Sequence, residues 1–120
     1  MTRIAVPTNG VNGLSEAVAE HFGRCQTYTF LNSKGEVIKV INNTSEHMEG
    51  IGLPPVLLKK EGADILLCKD LGPKALSYFH QFGISVCVDQ AKTVKEIYQR
   101  WKSKKLKPAG PQDTCQHHSS

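Results

Sequence analysis

The stretch "EHFGRCQ" brings a histidine, an arginine and a cysteine within five positions, as His21, Arg24 and Cys25. Imidazole and thiolate are ligand types that suit iron, copper and zinc, and a guanidinium suits an anion. This short loop therefore has the composition of a soft-metal or anion site. The same residues admit a structural reading, in which Phe22 anchors the loop, His21 and Arg24 face solvent and Cys25 is buried at the start of a strand. Spacing alone leaves both readings open.

Other residues of the same chemical kind are scattered along the chain. His47, beside Met48, lies in a loop ahead of a Pro-Pro pair and is a further candidate ligand. Cys68 ends the apolar run "ILLC", which makes it a packed thiol more readily than a ligand; Cys87, between Val86 and Val88, reads as core. Gly72 and Pro73 open a helix whose unpaired N–H groups and positive dipole end favour an anion, although Asp70 would repel one unless it caps that helix. The tail "CQHH" offers Cys115, His117 and His118, a set that could wrap a metal or lie inert. No CxxC pair occurs among the four cysteines, so a zinc-finger or thioredoxin motif is absent.

The elements that must position these groups are legible from pattern. "RIAVPTN" is a strand; "QTYTFLNS" and "EVIKVINN", joined by "SKG", read as a hairpin. "LPPVLLKKEG" and "LGPKALSYFHQFG" each have proline near the start and glycine at the end, the placement expected of helices. "ADILLCK" and "ISVCV" are the continuous apolar runs of strands buried on both faces. Thr93 and Glu96 form a T-x-x-E capping box ahead of Val94, Ile97, Tyr98 and Trp101, the apolar stripe of a last helix. A hairpin followed by alternating strands and helices predicts an α/β fold, a five-stranded mixed sheet with helices on both faces. Ligands in such sheets sit beyond the carboxyl ends of the parallel strands, here Thr8 and Asn9, Cys68 to Asp70, and Val88 and Asp89.

Length, hydropathy and charge narrow the function classes. The 120 residues suit one domain, expected over 1–107, followed by a flexible tail over 108–120 whose composition cannot bury enough to order itself. No apolar run approaches the roughly 20 residues that cross a bilayer, and no secretory h-region opens the chain, so a cytoplasmic protein with no membrane partner is expected. The net charge of +4 is concentrated: residues 92–107 carry seven basic side chains against Glu96 alone, whereas residues 1–91 hold eight basic and nine acidic ones. A nucleic-acid-binding or nuclease role would use that basic last helix, but Tyr98 and Trp101 fall on its apolar stripe, away from bases. A two-metal nuclease would also need clustered carboxylates, and the strand ends offer only Asp70 and Asp89.

"HFGRC", the glycine-bearing loop "HMEGIG" and "GADILLCKDLGPKALSYFHQFGISV", in that order and spacing, resemble the dinitrogenase iron-molybdenum cofactor biosynthesis family, of the NifX and NifB C-terminal type. The resemblance runs from about residue 3 to about residue 100. It implies a three-layer α/β/α ribonuclease H-like fold and a non-catalytic binding or carrier protein for an iron-sulfur or molybdenum-containing cluster. Cluster-donor and cluster-acceptor proteins would be its partners. Where many relatives carry a glycine pair, this chain has Lys69 and Asp70. Carried onto this sequence, the expected cluster site is His21, Arg24, Cys25, His47, Cys68 and Gly72.

Overall fold

A computed structural model describes residues 2–22, 24–43 and 54–104 of the chain. Strand β1 (Ile4–Thr8) is buried at all five positions, which requires cover on both faces and a neighbour on each edge. Its neighbours are β2 (Thr27–Leu31), antiparallel, and β4 (Ile65–Cys68), parallel. Strand β3 (Val37–Asn42) pairs antiparallel with β2, and β5 (Ser85–Val88) parallel with β4. The sheet order is β3-β2-β1-β4-β5, the five-stranded mixed sheet read from the sequence.

Alternation along the strands builds two cores. Ala5, Tyr28, Phe30, Leu66, Cys68 and Val86 point to one face, where Leu58 of α1 (Pro54–Lys60) and Leu76 and Phe79 of α2 (Pro73–Phe82) cover them. Ile4, Val6, Leu31, Leu67 and Cys87 point to the other, under Val94, Ile97, Tyr98 and Trp101 of α3 (Val94–Lys104). On that second face the upper end of β1 is polar, yet Thr8 is fully buried because its hydroxyl meets those of Thr27 (2.6 Å) and Thr29 (3.0 Å).

Helix ends follow the sequence signals. Gly83 takes φ +76° after α2, and the Schellman pair of bonds forms from Gly83 N to His80 O (3.2 Å) and Ile84 N to Phe79 O (2.9 Å). At α3 the Thr93 hydroxyl accepts from Glu96 N (3.2 Å), but the Glu96 carboxylate accepts from Lys92 N (2.8 Å), one residue ahead of the cap position in the usual reciprocal box. That backbone bond, with Arg100 nearby, holds the Glu96 carboxyl below its ordinary range.

Edge strand β3 is exposed at Val37 and Ile38. A register shift opposite Phe30 and Leu31 interrupts its pairing, and Lys39 on it pairs with Glu61. No helix of the described residues is long and apolar enough to cross a membrane. The tail over 108–120 lies outside the described residues.

Two expectations follow from the packing. A Cβ at Gly35, where φ is +84°, would lie 2.5 Å from the Tyr98 ring, and that ring is fixed by its hydroxyl donating to Ser33 O at 2.8 Å. Gly35→Ala is expected to cost about 2–4 kcal/mol from left-handed strain plus overpacking, read as a lowered urea midpoint. Burial pushes the Cys87 thiol from 9.0 up to about 11. Because the folded value is the higher one, the stabilising effect is complete below the unfolded thiol's value and is lost as pH rises from there towards the folded value. The urea midpoint should fall across that interval in the native chain and fall less in Cys87→Ala.

Candidate functional site

The antiparallel course of β2 starts it at the end of the sheet where β1 and β4 finish, so the loop entering β2 and the loop leaving β4 meet. They are joined by Phe22 N donating to Asp70 O at 3.1 Å. The Phe22 ring then wedges inward, 5.2 Å from Phe79 edge-on and 5.9 Å from Tyr28, which pins the loop to the core. Arg24 N donates to His21 O (3.3 Å), closing a turn, and Gln26 N donates to Thr8 O (3.1 Å) as the chain enters β2.

With its backbone so fixed, the loop holds His21 against Asp70: imidazole Nδ1 lies 3.0 Å from Oδ2. The histidine side chain is 64 % exposed and the aspartate 30 %. The other carboxylate oxygen, Oδ1, is buried and has no hydrogen-bond partner among the described residues. Around this pair opens a cleft of about 370 Å³ lined by His21, Phe22, Arg24, Asp70, Leu71 and Gly72. Gly72 is the cap residue of α2, with ordinary extended backbone and no side-chain cap bond, and a Cβ there would meet nothing within 4 Å. Its missing side chain leaves space in the cleft; the fold does not require it.

Of the residues singled out from sequence, His21, Arg24 and Gly72 therefore come together. Cys25 does not join them. It is 2 % exposed and packed among Tyr28, Phe30 and Leu58, with its carbonyl accepting from Asn43 Nδ2 at 2.9 Å and its Sγ 3.7 Å from the same nitrogen. Cys68 is fully buried in the same cluster. His47, Cys115, His117 and His118 lie outside the described residues. Among the described residues no three His, Cys, Asp or Glu side chains converge on a point that could hold a metal ion. The sequence offers Asp70 as a cap for α2 or an obstacle to anions. It does not cap α2, and its partner is His21, 49 positions away, a pairing that no local signal announces.

An α/β module with an open, mixed-charge cleft beyond the carboxyl end of its central strands is the class that this geometry defines. The chain belongs to the dinitrogenase iron-molybdenum cofactor family, whose model matches residues 1–104. It is similar to an uncharacterized protein of Methanocaldococcus jannaschii, 28 % identical over 111 residues, with 88 % of this chain and 90 % of the relative covered. Among solved structures it is similar to the apo form of the orange protein from Desulfovibrio gigas, at 30 % identity and TM-score 0.78, covering 91 % of this chain and 93 % of that one. A proposed NifB protein from Thermotoga shares the fold, with 22 % identity, TM-score 0.72 and coverage of 90 % and 93 %.

Proposed function

We propose that this protein binds and carries an iron-sulfur or molybdenum-containing cluster at the His21 cleft and performs no turnover on it. The observation that carries the reading is the cleft itself: an exposed imidazole held against a carboxylate, Arg24 on the rim and the unfilled space over Gly72. His21 supplies a nitrogen ligand, Arg24 balances the negative charge of a metal-sulfur body, and Gly72 leaves it room. The family match supports the same cargo.

Cys25 and Cys68 serve packing in this reading, because a metal-sulfur body could reach neither thiol without opening the core. His47, Cys115, His117 and His118 stay in the proposed ligand set on their residue types alone. The partners are cluster donors and acceptors in the cytoplasm, and the fold is of the ribonuclease H-like kind, a finer assignment supported by the antiparallel β2-β1 and parallel β1-β4-β5 pairing. A nucleic-acid role gains nothing from α3: Tyr98 is 7 % exposed with its hydroxyl on Ser33 O, and Trp101 packs against the same core.

Anaerobic reconstitution with iron and sulfide, with and without molybdate, followed by metal analysis, tests the site. His21→Ala is expected to lower metal per chain at unchanged melting temperature. Gly72→Ala should fold normally and load poorly. Cys25→Ala should load normally and lose about 1 kcal/mol of stability. Full loading in His21→Ala would remove the cleft from cluster binding.

A further inference from the structure

Asp70 has no part in holding the cargo as described above, yet it is the residue that meets His21. Its position is set independently of its side chain: its carbonyl accepts from Phe22 N at 3.1 Å, and the next residue, Leu71, is 2 % exposed in the core. Its carboxylate is not spent on capping α2. The neighbouring cation is engaged elsewhere, since Lys69 Nζ lies 3.0 Å from Glu20 Oε2. What remains for the Asp70 carboxylate is the 3.0 Å contact of Oδ2 with Nδ1 of His21.

A carboxylate oxygen can only accept, so in a neutral imidazole paired this way Nδ1 carries the proton and Nε2 carries the lone pair. A hydrogen bond between side chains 64 % and 30 % exposed adds little to stability. It does fix the direction and tautomer of the ring, the service that a carboxylate behind a ligating histidine performs at metal sites.

We propose that Asp70 is a positioning residue for His21: it holds the ring as the Nδ1–H tautomer and so presents Nε2 as an electron-pair donor. The ligand class follows from that donor. An imidazole lone pair suits an electrophilic metal centre with one open coordination position, whereas a simple oxyanion would need an N–H there. With Arg24 also lining the cleft, the fitting cargo is an anionic metal-sulfur body with one accessible metal. The identity of the cargo rests on the carrier reading; the tautomer does not, and it is measured without metal.

The experiment uses the full chain labelled with ¹⁵N-histidine, with long-range ¹H–¹⁵N correlations recorded above the imidazole titration range. The His21 signal is assigned as the one of five that is missing in His21→Ala. His21 is expected as Nδ1–H in the native chain and as Nε2–H, the form that unconstrained histidine prefers, in Asp70→Ala. Asp70→Glu keeps an acceptor-only carboxylate and should retain the native tautomer, whereas the amide of Asp70→Asn can donate to Nδ1 and favour Nε2–H. The backbone bond from Phe22 survives in all three variants, so all should fold. In parallel, affinity for iron and sulfide should drop by roughly 10- to 100-fold in Asp70→Ala and largely recover in Asp70→Glu. A native His21 found as Nε2–H, or unaltered loading in Asp70→Ala where His21→Ala fails to load, overturns the positioning role and leaves the carrier reading standing. Normal loading in His21→Ala together with the tautomer switch would instead sink the carrier reading and leave the hold of Asp70 on the ring established.

Discussion

Everything in this molecule hangs on the pairing of β1 with two neighbours of opposite sense. A strand buried on both faces must satisfy its backbone on both edges, and β1 does so with an antiparallel β2 and a parallel β4. That choice sends alternate side chains into two separate cores, one under α1 and α2 and one under α3. It also decides where the chemistry lies. Parallel strands end together, and an antiparallel neighbour begins where they end, so loops distant in sequence are delivered to one rim of the sheet.

Among the described residues the thiols and the imidazole of His21 end up with opposite fates. The three described thiols are all buried, and burial pushes Cys87 towards the neutral form that cannot ligate. The imidazole of His21 is left in solvent reach. The difference has a local cause. Phe22 takes the inward position of the loop, between Tyr28 and Phe79, which turns its neighbour His21 outward. Asn43 then covers Cys25 from the end of β3. A cleft built in this way offers few protein ligands and a large opening, which suits a cargo that must leave as well as arrive.

The elements were legible in the sequence because their signals are local. Proline at the start and glycine after the end marked α2, unbroken apolar runs marked β4 and β5, and period-3.6 spacing marked α3. The capping box was legible as residue types, but not that Glu96 would close on Lys92 instead of on Thr93. The site was legible in part. His21, Arg24 and Gly72 could be picked out by type and by their place beside strand ends. Which way Cys25 pointed was not legible, since a loop residue has no fixed parity relative to the strand it precedes. Nor was the partnership of His21 with Asp70, which follows from β2 running antiparallel and β4 parallel to β1, a sense of pairing that composition does not encode. Read alone, Asp70 is only a negative charge at a helix start; beside an imidazole it is an acceptor with a direction.

The same topology carries a consequence for how the chain acquires its shape. The pairings β1-β2 and β2-β3 join neighbours in sequence, whereas β1-β4 matches Ile4 with Ile65. Closing so long a loop carries an entropic cost that short-range pairing avoids. His21 belongs to the half assembled by short-range contacts and Asp70 to the half that this closure brings in. Their meeting is therefore a report on a long-range step of folding: a newly synthesised chain has no cleft until the strand that carries Asp70 has emerged and docked.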